Sequence, residues 1–478
     1  MSDDDLWISS IVAIVALVLT LFVSLHVLWT RSDSRSSLAW IGLVWLVPFG
    51  GAFLYFSFGV NRIKRKASRV RALRRPVKRR DDEPHIEDLR ELFPEAPQFL
   101  QLVRALDTVT SRPLCLGNHV EVLQNGDEAY PAMIEAIDNA KHSVAMLSYI
   151  FEARGPGRDF LRALVDAHKR GVEVRVLVDA AGERYGFPRI SRLLKREGVT
   201  AARFLPAFPP WRWPFMNLRN HRKVLIVDGD TAFTGGLNIR PDHVLSDKPK
   251  LPTRDLHFRC TGPIAAQLMQ VFAEDWYFVT SEHLDGEPFF FTKDSLPEGG
   301  VPARAIADGP DEDFDKVRWG LLAALACAQE RVIVATPYFL PDDALVMALG
   351  VAARRGVQVD VILPERGNLA VVDWAMRHML THVDLSGVSV WRSTGDFDHT
   401  KLMVVDSAWV FLGSSNWDAR SLRLNFELNV ECYDQGFGKK MEALLDERIE
   451  SAKPDSAGRT SILGTLRNAI AALFTPYL

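Results

Sequence analysis

The amino-acid sequence predicts an α/β protein made of two pseudo-symmetric halves, preceded by an N-terminal transmembrane helical hairpin. Three observations lead to this prediction. Two long uncharged apolar stretches open the chain, one pattern of alternating helices and strands occurs twice, and the same string of chemically active residues follows each copy. The chain has 478 residues, of which 47% are hydrophobic, so it can bury the cores of two or three domains.

The membrane hairpin is expected over residues 1–61, with spans at about 6–30 and 36–60. Both stretches lack Asp, Glu, Lys and Arg, and each exceeds the roughly 20 residues that a helix needs to cross the hydrocarbon core. The acidic Asp3–Asp5 head and the presence of a second apolar stretch argue against a cleaved signal peptide. Because Pro48 and two glycines lie inside the second stretch, we expect it either to kink or to be re-entrant.

The formal net charge of −3 conceals an uneven distribution. Residues 62–80 contain eleven Lys and Arg and no acid, whereas residues 81–478 contain 44 basic and 56 acidic residues, a net charge of −12. By the positive-inside rule, this basic belt predicts a multi-pass protein whose acidic body lies on the cytoplasmic side of the membrane. The belt is either a topology signal alone or also attracts anionic lipid headgroups. The acidic body disfavours nucleic acid as a partner.

The body contains one structural pattern twice. Each copy predicts a helix, a strand, a second helix and a second strand, at Ala129–Ala140, Ser143–Tyr149, Asp159–Lys169 and Val172–Val178, and again at Phe314–Gln329, Val332–Thr336, Asp342–Arg354 and Val357–Leu363. The junctions Arg170–Val174 and Arg355–Val359 are nearly identical, with a glycine that ends the helix and β-branched residues that begin the strand. This alternation indicates an α/β layered fold, and two copies indicate a pseudo-symmetric pair.

The predicted boundaries follow from this pattern. After the hairpin we expect a basic juxtamembrane belt with a linker helix over 62–107, a first half over 108–295 and a second half over 296–455. A C-terminal amphipathic helix over 456–478 is expected either to cover the core or to lie on the membrane. The aromatic stretch 204–216 leaves two similar possibilities, a packed loop or a lip at the membrane surface.

A His-x-Lys-x4-Asp-x6-Gly-x-x-Asn string follows each copy. It contains His221, Lys223, Asp228, Gly235 and Asn238 in the first copy, and His399, Lys401, Asp406, Gly413 and Asn416 in the second. Residues two apart on a strand face the same side, so each His and Lys project together. One imidazole can attack phosphorus and a second, protonated imidazole can donate to the leaving oxygen, while Lys and Asn hold the phosphoryl oxygens. The histidines and carboxylates are too few and too dispersed to predict a zinc site.

These strings resemble the duplicated signature of the phospholipase D superfamily and, within it, that of the bacterial cardiolipin synthases with two N-terminal membrane spans. The resemblance covers nearly the whole chain and includes Asn217–Asn220, Asp275–Tyr277, Thr336–Phe339, Gly413–Ser421 and Pro476–Leu478. It implies two α/β/α sandwich halves that meet at one active site, in a protein of the bacterial cytoplasmic (inner) membrane. It also implies phosphatidyl transfer between two phosphatidylglycerol molecules, giving cardiolipin and glycerol through a covalent phosphohistidine, with membrane lipids as partners and with neither cofactor nor metal.

The resemblance also implies roles for the site residues. His221 is the expected nucleophile and His399 the general acid and then the base, although the reverse order stays open. The other expected roles are phosphate binding by Lys223, Lys401, Asn238 and Asn416, orientation of the opposite half's histidine by Asp255 and Glu427, and support of the architecture by the string residues Asp228 and Asp406.

Several alternatives stay open at the level of sequence. Asp398 stands where relatives usually have an apolar residue, so its carboxylate either favours the imidazolium form of His399 or points to solvent. Water can resolve the same intermediate, which would give a phospholipase D-type hydrolase, and phosphatidylethanolamine can replace one substrate in a related transphosphatidylase. A non-catalytic membrane tether is the third class of function, and assembly into a homo-oligomer is also left open.

Overall fold

The structure is a computed structural model, and it describes residues 3–30, 34–59, 96–206, 218–290, 300–310, 315–385, 387–455 and 461–475. The described residues up to 59 form one compact unit, and those from 96 onward belong to a second. The basic belt, the start of the predicted linker helix, most of the aromatic stretch 204–216, the predicted boundary between the halves and the last three residues all lie outside the described residues.

The N-terminal unit consists of helices α1 (Asp3–Thr30), α2 (Ser34–Leu46) and α3 (Pro48–Leu54) and a π-helical turn (Tyr55–Gly59). Within residues 3–30 and 34–59, one helix, over Trp7–Thr30, is long and apolar enough to cross a membrane. The stretch 36–60, predicted as the second span, is therefore not one continuous helix, and a second crossing of the membrane stays a prediction. Helix α2 stops before Pro48, because proline has no N–H to donate and its ring disfavours the helical conformation at Val47, where φ is −137° and ψ is 80°.

The helices of this unit nevertheless pack against one another. Helix α1 contacts α2 and α3, and the shared core buries Val23, Val27, Val44, Ala52 and Tyr55. The hydroxyl of Tyr55 lies 2.7 Å from Nδ1 of His26 on α1. The chain therefore reverses direction as a hairpin, with a continuous first arm and a broken second arm.

The second unit begins with α4 (Phe99–Val109) and a first half. The elements of this half are β1 (Cys115–Gln124), α5 (Asn125–Asn139), β2 (Ser143–Ser148), α6 (Pro156–Lys169), β3 (Glu173–Asp179), α7 (Ile190–Arg196), β4 (Thr200–Phe204), β5 (Arg219–Asn220), β6 (Val224–Val227), β7 (Thr231–Gly235), β8 (Thr253–Arg254), β9 (Leu256–Thr261) and α8 (Pro263–Thr280).

The second half repeats this order. Its elements are β10 (Val301–Asp308), α9 (Lys316–Cys327), β11 (Arg331–Ala335), β12 (Phe339–Leu340), α10 (Asp343–Arg354), β13 (Gln358–Pro364), α11 (Ala370–Leu385), β14 (Ser389–Ser393), β15 (Phe397–Asp398), β16 (Leu402–Val405), β17 (Trp409–Gly413), β18 (Trp417–Asp418), α12 (Ala419–Arg423), β19 (Asn425–Tyr433), α13 (Gln435–Glu450) and β20 (Lys453–Pro454). Helix α14 (Ile462–Ala472) follows.

The two halves share one continuous sheet with internal pseudo-symmetry. The first half has the strand order β4-β3-β2-β6-β7-β9-β1, and the second has the matching order β14-β13-β11-β16-β17-β19-β10. Strands β1 and β10 pair antiparallel where the halves meet. The predicted strand pairs β2 and β3, and β11 and β13, are parallel, as the crossover helices between them require. The prediction of a pseudo-symmetric α/β pair is confirmed.

Helices cover both faces of each half of the sheet. In the first half, α5, α6 and α7 enclose a core that includes Phe160, Leu164 and Val176. The alternate strand residues Ala145 and Ile226 are also buried, and α8 contacts β2 and β6. Residues on both faces of these strands are therefore buried, which gives the α/β/α sandwich that the sequence predicts.

The glycine of each string ends the strand that follows the turn. Gly235 and Gly413 have φ angles of 149° and 151°, which L side chains rarely adopt. A Cβ atom on Gly235 would lie 2.6 Å from the carbonyl oxygen of Leu256 on the neighbouring strand. Glycine at this position therefore lets β7 approach the start of β9, next to Asp255.

Candidate active site

The two histidines occupy equivalent positions in the two halves. His221 follows β5 and His399 follows β15, and each lies three residues before the start of the next strand, β6 or β16. The backbone amide of each histidine donates to a carbonyl of the other half. The N–H of His221 donates to the carbonyl of Phe426 at 2.9 Å, and that of His399 to the carbonyl of Arg254 at 2.8 Å. Each half thus anchors the histidine of the other.

Carboxylates complete this exchange between the halves. Nδ1 of His221 lies 3.1 Å from both carboxylate oxygens of Glu427 in the second half. Nδ1 of His399 lies 2.7 Å from Oδ2 of Asp255 in the first half. Since an ionised carboxylate only accepts, Nδ1 of each ring carries the proton and Nε2 is left as the nucleophilic or proton-accepting nitrogen.

The two carboxylates have different surroundings. Glu427 also accepts from the Ser414 hydroxyl and, at 3.0 Å, from the Asn425 amide. Burial alone would raise the pKa of Glu427, but His221, Lys223 and the Ser414 hydroxyl bring it below the usual value. Asp255 has Gly236 where Glu427 has Ser414, and burial raises its pKa to about 6. The carboxylate that holds His221 is therefore the more firmly ionised of the two.

The lysines of the two strings meet in the same buried site. Nζ of Lys223 donates to the carbonyl of its own His221 at 2.5 Å, and Nζ of Lys401 to that of His399 at 2.6 Å. Burial lowers the pKa of Lys223 to about 7 and that of Lys401 to about 8, and the charge of Lys401 further lowers the pKa of Lys223. Burial also lowers the pKa of both histidines, and the positive lysines add to this. Four basic side chains therefore share one buried site.

The two asparagines of the strings have different partners. Oδ1 of Asn238 accepts the backbone N–H of Ile150 at 3.2 Å. Oδ1 of Asn416 is buried and has no hydrogen-bond partner in the described part of the chain. Asn416 lines a small pocket together with Lys401.

Asp228 and Asp406 do not lie with the histidines. They occupy the far ends of β6 and β16, each with φ near +50° (51° and 49°). The carboxylate of Asp228 accepts the backbone N–H groups of residues 141–143, and that of Asp406 those of residues 329–331. These contacts fasten each turn to the start of the adjacent strand, β2 or β11. Among the described residues there is also no cluster of three or more His, Cys, Asp or Glu that could hold a metal ion.

The sequence interpretation missed a tyrosine at the site. The ring of Tyr149 lies 5.1 Å from that of His221 in an edge-on arrangement, and Nζ of Lys223 lies 5.5 Å from the same ring. Burial raises the pKa of Tyr149 to about 12, so its ring stays neutral. The available signal was its position directly after β2, since ligands of α/β folds bind at the carboxyl ends of parallel strands. His243, whose ring lies 6.3 Å from that of His399, was also missed.

The side chain of Asp398 does not point to solvent, because the residue is buried. Its Oδ2 accepts from Arg448 on α13 at 2.6 Å, and the same guanidinium nitrogen donates to Thr400 at 2.8 Å. Burial would raise the pKa of Asp398, but Arg448 and the Thr400 amide lower it, so the residue is ionised. Its charge raises the pKa of His399 only slightly against the effects of burial and Lys401.

We call the contacts of Asp398 and Thr400 with Arg448 a brace. The first half has a brace at the equivalent place, with the acidic and basic partners exchanged. There the residues that flank His221 are Asn220 and Arg222, and both donate to Asp275 on α8, at 2.8 and 2.6 Å. In each half, the residues on either side of the histidine are thus tied to one helix, which follows β9 in the first half and β19 in the second. The helix carries the acid in the first half and the base in the second.

Removing Arg448, one partner of the brace in the second half, should destabilise the folded protein. We expect Arg448→Met to lower the free energy of unfolding by about 3 kcal/mol, because Asp398 would remain charged and unpaired in a buried place. Combining it with Asp398→Asn should recover part of the loss, with a coupling of at least about 1 kcal/mol in the double-mutant cycle. Thermal unfolding in detergent measures both quantities, and strictly additive effects would contradict the pairing.

Comparison with known proteins gives the family. The family model described as cardiolipin synthase, PLD-like domain, matches residues 133–276 and 321–449, one match in each half. A second family model, phospholipase D-nuclease N-terminal, matches residues 11–59. With the apolar helix α1, this match supports association of the chain with a membrane.

Individual relatives agree with the family matches. The chain is 31% identical to cardiolipin synthase A of Pseudomonas fluorescens (strain SBW25) over 463 residues, which cover 95% of each chain. It is 30% identical to the cardiolipin synthase of Geobacillus kaustophilus (strain HTA426), covering 86% of this chain and 82% of that one. Among solved structures, phosphatidylserine synthase of Haemophilus influenzae Rd KW20 shares the fold, with a TM-score of 0.61 and 14% identity over 79% of this chain and 100% of that one. The chain therefore belongs to the cardiolipin synthases, phosphatidyltransferases built from two phospholipase D-like domains.

Proposed function

We propose that this enzyme transfers a phosphatidyl group from one phosphatidylglycerol to another and releases glycerol. Nε2 of His221 attacks the phosphorus and the bond to the glycerol oxygen breaks. His399, which enters this step as the imidazolium with a second proton on Nε2, gives that proton to the leaving oxygen. His399 then takes the proton from a hydroxyl of the second phosphatidylglycerol, whose oxygen attacks phosphorus and breaks the P–N bond. The products are cardiolipin and glycerol, and both histidines return to their starting state.

The observation that carries this proposal is the pair of carboxylate–histidine contacts exchanged between the halves. Two imidazoles with fixed tautomers suit a double displacement, in which one forms a covalent bond and the other moves a proton twice. Lys223 and Lys401 supply positive charge where the equatorial oxygens of phosphorus gain negative charge. The firmly ionised Glu427 suits His221 as nucleophile, because a phosphohistidine carries positive charge on its ring that a carboxylate at Nδ1 stabilises.

The decisive experiment is a product assay by mass spectrometry. Purified enzyme in phosphatidylglycerol vesicles should form cardiolipin and glycerol in equal amounts. Phosphatidic acid as the sole phospholipid product would mean that water is the acceptor, as in a hydrolase. Release of ethanolamine from mixed vesicles, with no glycerol from phosphatidylglycerol alone, would assign phosphatidylethanolamine as a substrate. No turnover in vesicles of any of these compositions would support a non-catalytic membrane tether.

The pKa values of the site predict a bell-shaped pH dependence of kcat/KM. Asp255 loses its charge as the pH falls through about 6, which weakens its hold on His399. Lys223 loses its charge as the pH rises through about 7, and Lys401 through about 8. We therefore expect a maximum between pH 6 and 7 and a decline on either side.

Replacing the first lysine tests the alkaline side of this profile. Lys223→Arg keeps its positive charge throughout this range, so the alkaline decline should begin at higher pH, whatever the loss in the maximum. An alkaline side that stays in place would show that this lysine does not set it.

The topology of the chain is also part of the proposal. We infer that the protein passes the membrane more than once and that the phospholipase D-like body faces the cytoplasm, supported by eleven basic residues at 62–80. A membrane-impermeant thiol reagent tests the side. A cysteine placed at the exposed His168 should react only after the cytoplasmic membrane is opened, and reaction in intact spheroplasts would reverse the orientation.

A further inference from the structure

Most large apolar residues of helix α14 are exposed, whereas a helix that only covers a core would bury them. Six large apolar side chains in and directly after it are between 50% and 88% exposed: Ile462, Leu463, Leu466, Ile470, Leu473 and Phe474. At about 100° per residue they fall within an arc of about 120°, which is one continuous stripe. A helix of a soluble domain normally turns such a stripe inward.

The opposite side of α14 holds it to the body. Asn468 and Ala471 are buried, each only 4% exposed, and the helix packs along α11. The guanidinium of Arg467 lies 4.6 Å from the ring of Trp374 on α11, and it also donates to Oδ1 of Asn468. These contacts fix the rotation of the helix about its axis, so that the stripe faces away from the core.

Two more exposed apolar residues lie at the start of α11, the helix against which α14 packs. Leu369 and Val371, which lie five and three residues before Trp374 in the chain, are 52% and 41% exposed. Several large apolar side chains exposed in one region of a folded domain mark an interaction surface. We call the six apolar residues of α14, with Leu369 and Val371, the apolar ridge.

We propose that the apolar ridge inserts into the interfacial layer of the lipid bilayer and is a second membrane contact of this chain, separate from the N-terminal helices. A bilayer is always within reach, because α1 is long and apolar enough to span one. Residues 60–95, which join the two units, can extend no further than about 130 Å. A bilayer held within this distance has a high effective concentration at the second unit, which favours even a weak interfacial contact.

Charge also favours an anionic lipid surface over other partners. Residues 456–478 contain two arginines and no Asp or Glu, although residues 81–478 as a whole carry an excess of acid. Bilayers that contain phosphatidylglycerol are negatively charged and repel carboxylates at their surface. A helix that lies in the interface with an apolar face and basic flanks has this composition. The proposal does not depend on the acceptor or the chemistry proposed above.

Depth-dependent quenching tests the contact in the full-length chain. In a background without the native cysteines, a fluorophore is attached to Leu466→Cys or Leu473→Cys, and the protein is reconstituted in vesicles that contain phosphatidylglycerol. Thr465→Cys is the matched control, because it is exposed on the same helix but lies about 100° away from Leu466. We expect brominated acyl chains to quench positions 466 and 473 and aqueous iodide to quench position 465.

Two results would overturn the proposal. Full quenching of positions 466 and 473 by iodide, without quenching by lipid, would place the ridge in water. Energy transfer between labels on different chains, without quenching by lipid, would assign the ridge to contact with a second copy. Neither readout requires turnover, so the outcome is independent of the proposed phosphatidyl transfer.

Activity gives a second measurement. Leu466→Asp with Leu473→Asp changes only exposed side chains, so the thermal midpoint should equal that of the unmodified protein. We expect about tenfold slower turnover on vesicles, and turnover within twofold on short-chain substrate in mixed micelles. Equal losses in both media, or no loss in either, would count against the ridge as a bilayer contact.

Discussion

Alanine in place of either His221 or His399 is expected to reduce turnover by about 10⁴-fold or more, because each imidazole performs a step that no neighbouring group can take over. With phosphatidylglycerol labelled in its phosphate, His399→Ala should retain label on the protein, since the intermediate forms but the second alcohol is not deprotonated. His221→Ala should retain none. Phosphorimaging of the denatured protein measures the retained label.

The comparison of the two variants decides the order of roles. Label on His221→Ala and none on His399→Ala would reverse the assignment of nucleophile and acid. Activity close to normal in both single variants would contradict a shared site altogether. His168→Ala is the matched control, because His168 is exposed on α6 and should leave turnover unchanged.

Replacing Glu427 by Gln is expected to lower kcat by about 10³-fold with little change in KM. The amide can donate to Nδ1 of His221, which would favour the tautomer with its proton on Nε2 and so remove the nucleophilic lone pair. Asp255→Asn should likewise place the proton of His399 on Nε2, where it prevents this ring from acting as the base of the second step. Steady-state kinetics on phosphatidylglycerol in mixed micelles separates kcat from KM.

A second carboxylate on the same strand provides the control. Glu431 is also fully buried on β19, but it pairs with Arg304 rather than with a histidine. Glu431→Gln should therefore lower the thermal midpoint and leave the kcat of the folded enzyme within a few-fold. If Glu427→Gln also acted only through the thermal midpoint, the tautomer argument would fail.

The sequence predicted those parts of the fold that depend on local pattern. The two helix–strand repeats were confirmed, because periodicity and glycine positions specify them over a few residues. The two strings suggested a common site because each occurs once per repeat. Asp255 and Glu427 carry no local signal of their own and entered only through resemblance to a family.

What the sequence did not predict depends on contacts between distant residues. Asn220 bonds Asp275, 55 residues away, and Asp398 bonds Arg448, 50 residues away. No periodicity marks such pairs, and the reversed charge of the two braces hides their equivalence from a comparison of the repeats. The broken second arm of the hairpin had a local signal in Pro48, but composition alone does not separate a kinked span from shorter helices.

The exchange of partners between the halves has a consequence for the synthesis of the enzyme. His221 is ready for chemistry only when Glu427 reaches its ring, and that residue lies 206 positions further along the chain. A nascent chain whose N-terminal helix has already entered the membrane therefore carries an imidazole without its carboxylate until β19 leaves the ribosome. On the mechanism proposed above, lipids around an unfinished or truncated chain would therefore not meet a complete site.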